Sequence, residues 1–263
     1  MTDTAPTEIS PRPAEITIRS ISVDDVYAAL SRGWADFRAV PRFGLFFGGV
    51  YALVGILIFI QLWVIDQSFW ILPLAFAFPL IGPFVAIGLY EVSRRREAGE
   101  PLDWSDVLGA VWRQRDGQLP SMAFVVLAGF LVWMWAASLI VILFVGQMDL
   151  AVYSDFDSML DTANGVALVL VGGLVGGAIA AFLFAITAVA LPLLLDRDVD
   201  YVTAMVTSFR AVTTNPAAML NWAWIVAGGL FVAMVPLFLG LIVALPVLGH
   251  ATWHVYRAVI APK

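Results

Sequence analysis

The 263-residue chain has no cysteine, a single lysine and two histidines. Without cysteine there can be no disulfide, no thiolate nucleophile and no zinc–thiolate site, and the redox compartment stays open. Charge is scarce as well: 13% of the residues are charged, against about 25% in an ordinary soluble domain. A net charge of −6 supplies no basic face, so no nucleic-acid partner is expected. Residues 1–17, MTDTAPTEISPRPAEIT, lack the apolar core of a signal peptide. Their Thr/Pro/Glu-rich composition reads as a disordered tail. Asp, Glu, Lys, Arg and His are absent from 43–65, 122–146, 165–195 and 222–245. Intramembrane charges mark ion pathways and proton relays, so their absence weighs against an ion-coupled transporter or pump.

What is present is apolar surface: 61% of the residues are hydrophobic, gathered into long tracts. A membrane-spanning helix needs about 20 such residues. The tracts predict an all-α polytopic membrane protein with spans near 43–65, 69–91, 122–146, 165–195, 222–239 and 241–260, within one six-helix domain over 18–263. The last two come from one 39-residue tract beginning at Trp222, too long for a single span and expected to turn near 236–240. With six spans and a cytoplasmic N-terminus, all 14 Lys and Arg residues fall on the inner side. Outer loop 147–164 carries Asp149, Asp155, Asp157 and Asp161 instead. That asymmetry is the positive-inside pattern of a bacterial inner-membrane protein with both termini in the cytoplasm.

Three segments resemble one another: VDDVYAALSRGWADFRAVP from Val23, WSDVLGAVWRQRDGQLP from Trp104 and VDYVTAMVTSFRAVTTNP from Val199. Each starts acidic or hydroxylic, continues with apolar residues at helical spacing and ends in proline. The apolar stripe is Val23, Val26, Leu30, Trp34 and Phe37 in the first, and Val199, Val202, Val206, Phe209 and Val212 in the third. Each predicts an amphipathic helix along the inner surface that feeds a membrane hairpin. The returning helices match too: VAIGLYEVSRR from Val85, VALPLLLDRDV from Val189 and VALPVLGHATW from Val243. Three pseudo-repeats of amphipathic helix plus hairpin are therefore expected.

The blocks GLYEVSRRREAGEP, LLLDRDVD and LGHATWHVYR resemble those of a bacterial integral-membrane family, the domain of unknown function 2189 family. The resemblance extends over roughly 20–260. It implies a polytopic inner-membrane protein and brings no catalytic residue, substrate or cofactor.

Aligned on Ala86, Ala190 and Ala244, the returning helices place Glu91, Asp196 and His250 at one depth. Arg94, Arg197, His254 and Arg257 lie close by, which predicts an inner-rim polar cluster whose members pair across helices. It serves either as a belt of paired charges or as a pocket for an anionic headgroup, a metal or a partner's loop. His250 and His254 share a helix face and could offer two nitrogens to one metal. The HExxH arrangement is absent, so no metal site and no cofactor are expected. GGLVGG, 172–177, permits close helix approach, within the chain or between copies. With no nucleophile motif or phosphate loop, the expected role is a non-enzymatic accessory, scaffold or assembly partner of a larger inner-membrane complex, in contact with membrane lipid. The alternatives are a transporter or lipid- or small-molecule-binding protein with a site between hairpins, and a metal-dependent enzyme at the rim. The sequence leaves the oligomeric state open.

Overall fold

The computed structural model describes residues 16–63, 71–113, 117–145 and 160–262. All but the last two residues of the expected tail 1–17 lie outside these, as do Asp149, Asp155 and Asp157 of the acidic loop. The described chain is helical: α1 (Val23–Ala39), α2 (Pro41–Trp63), α3 (Ile71–Ala98), α4 (Trp104–Arg113), α5 (Leu119–Val145), α6 (Ala163–Thr187), α7 (Ala190–Asp196), α8 (Tyr201–Thr214), α9 (Pro216–Met234) and α10 (Leu241–Val259). Among the described residues, four stretches are long and apolar enough to cross a membrane: Pro41–Ile60, Leu119–Phe144, Ala163–Asp196 and Pro216–Met234.

Local chemistry sets the boundaries. Ser22 opens α1 with a capping box: its hydroxyl accepts from the Asp25 N–H (3.3 Å), and the Asp25 carboxylate accepts from the Ser22 N–H (2.8 Å). Asp200 caps α8 through the Thr203 N–H (2.9 Å). Proline stops both helices, because a residue before proline is pushed out of the helical region. Val40 stands at φ −137°, ψ 60° before Pro41, and Asn215 at φ −123°, ψ 53° before Pro216. The long apolar tract from Trp222 divides at 235–240, where Leu237 and Phe238 take left-handed φ of 52° and 65°. The tract 165–195 is interrupted as well, since a turn at 188–189 separates α6 from α7. Pro192 has no N–H to offer the Ala188 carbonyl. Ser208 of α8 splices the break, donating to the Ala185 carbonyl (2.7 Å) and accepting from the Val189 N–H (3.1 Å).

The three surface helices share a packing rule. α1 lies on α10, α4 on α3, and α8 on α6 and α7. The α1–α10 approach is close enough that a Cβ on Gly33 would sit 2.5 Å from the Ala251 nitrogen. The faces turned inward are not simply the apolar stripes. Trp34 is exposed, and so are Val202, Val206 and Phe209 of α8, whereas Ala204, Thr207, Ser208 and Ala211 are buried. Small residues win the inner face because they let the helix axes approach, and the large side chains are left pointing outward. α4 behaves alike, burying Val107 and Ala110 and exposing Leu108 and Trp112.

The helix ends converge. The end of α3 meets the end of α1 and the end of α10 through Arg96–Asp36 (2.9 Å) and Trp253–Glu97 (2.9 Å). Arg95 of α3 pairs with Asp106 of α4 (2.8 Å). Tyr256 of α10 bonds Asp196 at the end of α7 (2.6 Å). The entering segment runs antiparallel to the leaving one: the Arg19 N–H donates to the Val259 carbonyl (2.7 Å) and the Ala261 N–H to the Thr17 carbonyl (3.0 Å). Asn215 fastens this pair to the start of α9, accepting from the Ile21 N–H (2.8 Å) and donating to the Arg19 carbonyl (3.1 Å).

Candidate functional site

The rim formed by these ends holds the buried polar side chains Asp36, Glu91, Ser93, His250 and His254. α1 supplies Asp36 on the same inward face as Val26, Ala29, Gly33 and Phe37. α3 supplies Ser93 and Arg96. α10 supplies both histidines, one turn apart.

Asp36 is the hub. Its Oδ2 accepts from Ser93 Oγ (2.7 Å) and lies 2.8 Å from His254 Nε2, and its Oδ1 accepts from Arg96 Nε (2.9 Å). Burial opposes its ionisation, but the bonds from His254, Arg96 and Ser93 outweigh it and hold the carboxyl down at about 2. An ionised carboxylate only accepts, which orients the whole chain of protons. His254 carries its proton on Nε2, and Ser93 gives its hydroxyl proton to Asp36. Ser93 Oγ can then only accept from His250 Nδ1, 2.9 Å away. The His250 ring adjoins the backbone of Leu89. Its buried Nε2 makes no hydrogen bond of acceptable geometry among the described residues.

The seven rim residues expected to pair with one another divide into separate sets. Glu91 is 2% exposed and its partners are on its own helix: Arg94 through Nε (2.7 Å) and Nη2 (2.9 Å), and Arg95 through Nε (2.7 Å). His250 and His254 belong to the Asp36 network. Arg257 donates to Glu97 (3.1 Å), which also accepts from Trp253. Asp196 accepts from Tyr256 and stands 3.8 Å from Arg197, whose Nη2 donates to the Ala261 carbonyl. The cross-helix bonds thus run to residues the sequence argument passed over, namely Asp36, Ser93, Glu97 and Tyr256. Equal depth along three helices did not make the aligned residues neighbours, because the surface helix α1 inserts Asp36 between α3 and α10.

Asp36 had a readable signal: one acidic residue at inward spacing on an otherwise apolar and small face. Ser93 had none beyond following Glu91 on α3. For metal, each histidine spends one nitrogen on a protein partner. Among the described residues no group of three His, Asp or Glu is arranged to hold an ion. The glycines of GGLVGG divide: a Cβ on Gly176 would meet Trp133 at 3.3 Å, whereas Gly172, Gly173 and Gly177 face open space.

Residues 71–196 match the family model described as predicted integral membrane protein (DUF2189). Those residues are similar to that family. No curated protein and no solved structure matches it. The DUF2189 match is shorter than the expected 20–260. It takes in Glu91, Ser93, Arg94, Arg96, Glu97 and Asp196, and it leaves out Asp36 and the block LGHATWHVYR with both histidines.

Proposed function

We propose that the protein is a six-span inner-membrane protein with both termini in the cytoplasm, acting by contact as an accessory or assembly partner of a larger membrane complex. The observation that carries this reading is the closure of the rim. Asp36, Ser93, His254, Arg96 and Glu97 bond one another or a neighbouring helix, and Glu91 pairs with Arg94 and Arg95 of its own helix, leaving a locked end instead of an open reaction site. Ser93, which hydrogen-bonds a histidine, is fully buried and lies between His250 and Asp36, so it is not placed as a nucleophile.

The span count has geometric support. α3 ends against the end of α1, which is where α2 begins, so the α2–α3 hairpin leaves the rim and returns to it. α4 is held to α3 near the start of α5, and α7 ends beside α10. α9 starts at Asn215 beside Arg19, and α10 ends there. Each hairpin therefore begins and ends at the rim, adding α3 and α10 to the four apolar candidates. The packing of each surface helix on the returning helix of the preceding unit supports three repeats closed in a ring. Domain 18–263 is then one bundle, with lipid as its solvent and no role for nucleic acid.

The lipid-binding alternative has one observation of its own. An apolar groove of about 500 Å³ runs between α5 and α6, lined by Phe124, Ala128, Val132, Ile179 and Phe182. It lies within one hairpin, not between hairpins. Two measurements test the leading reading. A reporter active only outside the cytoplasm, fused after Lys263, should stay silent; a strong signal would require an odd span count. In-membrane crosslinking followed by purification should recover a stoichiometric partner. A chain that remains wholly unlinked at native expression would overturn the accessory role.

A further inference from the structure

A second feature lies outside the Asp36 network. Where the entering segment crosses the end of α10, a polar pocket of about 350 Å³ is lined by Arg19, Ser20, Ile21, Asp25, Arg32, Arg257 and Ala258. Three guanidinium groups meet one carboxylate there, in a chain whose net charge is −6. Asp25 is committed to the α1 cap, its Oδ2 accepting from both the Ser22 N–H and the Ser22 hydroxyl. Arg257 is partly offset by Glu97. Arg19 donates to the carbonyls of Arg257 and Ile260, neutral acceptors that fix its position without cancelling its charge. Arg32 makes no hydrogen bond or ion pair among the described residues and is sensed by Asp25 only through space. The pocket thus holds positive charge that its own carboxylates do not neutralise.

The shape of that charge selects a ligand class. Guanidinium groups present planar forks of N–H donors that fit tetrahedral oxyanions with several acceptors. Arg19 is pre-positioned by the α10 carbonyls, so little ordering is needed to bind. The volume lies within the range of small-ligand sites, about 300–1,000 Å³. Orientation narrows it further. Asp25 and Arg32, seven residues apart, share one flank of α1, and Tyr27 and Trp34, also seven apart, share the other. Exposed Tyr and Trp mark the flank suited to the headgroup layer. The arginine flank therefore turns toward the cytosol.

We infer that this pocket binds a phosphoryl anion, held by Arg19, Arg32 and Arg257. The anion comes either from a soluble phosphate ester or pyrophosphate or from an anionic lipid headgroup. The inference does not depend on the accessory role proposed above. The test uses the full chain in phosphatidylcholine nanodiscs, with melting followed by tryptophan fluorescence. Sodium pyrophosphate is titrated at constant ionic strength, and a parallel set of discs contains phosphatidylglycerol. Arg32→Gln is the main variant, because that side chain makes no hydrogen bond or ion pair among the described residues, and Arg32→Lys is its charge-keeping companion. Arg210→Gln, on α8 and not lining the pocket, is the control. A saturable rise in melting temperature with pyrophosphate, whose midpoint moves at least about tenfold in Arg32→Gln but not in Arg210→Gln, supports the soluble source. Stabilisation by phosphatidylglycerol alone, lost in Arg32→Gln and kept in Arg210→Gln, supports the headgroup source. No stabilisation by either probe, or an equal loss in both Gln variants, overturns the inference.

Discussion

At the rim, Asp36, Ser93 and His250 are buried and hydrogen-bonded across three helices. Along the shafts of α5 and α6 the pattern reverses: Trp135 is 70% exposed and Leu174 75% exposed. A soluble protein would not leave such residues in water. In a bilayer they are already in their solvent, and hydrocarbon gives little reason for helices to associate. Specific association must then come from polar bonds and close packing; here the cross-helix polar bonds gather at one end, while close packing also reaches the far end, where a Cβ on Gly48 would sit 2.6 Å from the Ile242 carbonyl oxygen. The rim thus supplies the polar specificity, while the exposed faces of the shafts suit lipid.

The contrast makes graded predictions. Asp36→Ala should have the largest effect, destabilising by about 3–5 kcal/mol in detergent unfolding, because it leaves the buried His254 and Ser93, and the partly exposed Arg96, without their carboxylate. The same carboxyl sets an acid limit. Its folded pKa of about 2 lies below the ordinary 3.8, so its contribution is complete above pH 4 and is lost as pH falls through 2. Wild-type stability measured from pH 7 to 5 should therefore show no loss from protonation of Asp36 itself. Asn215→Ala comes next, at about 1–3 kcal/mol, since it strands the part-buried Ile21 N–H and Arg19 carbonyl. Hydrogen exchange should show residues 17–21 opening first in that variant. Trp253→Phe removes one bond to Glu97 and should cost about 0.5–1.5 kcal/mol. Leu174→Ala, on the lipid-facing shaft, should stay within about 0.5 kcal/mol of wild type by the same assay.

Much of the helical layout was legible because its signals are local. Pro41 and Pro216 stop the surface helices, Ser22 and Asp200 start them, and the apolar tracts mark the shafts. The division of the Trp222 tract followed from length alone. The failures share one cause. Val202, Val206 and Phe209 are legible as an apolar stripe, but nothing local says what covers it; in the fold the small face of α8 packs and the large face stays exposed. The histidines' surroundings were equally hidden, since His254 and Asp36 lie 218 positions apart and no local pattern joins them. Alignment of the returning helices put Glu91, Asp196 and His250 at one depth but said nothing of what α1 would insert between them.

The central claim is that Asp36 and His254 act as one unit locking α1 to α10. A double-mutant cycle of Asp36→Ala and His254→Ala, by equilibrium unfolding in mild detergent, tests it most directly. The lock predicts strong non-additivity: the double variant should be little less stable than Asp36→Ala alone, with a coupling energy of at least about 1 kcal/mol. Effects that add to within about 0.5 kcal/mol would show that the two side chains act independently, and would contradict the lock.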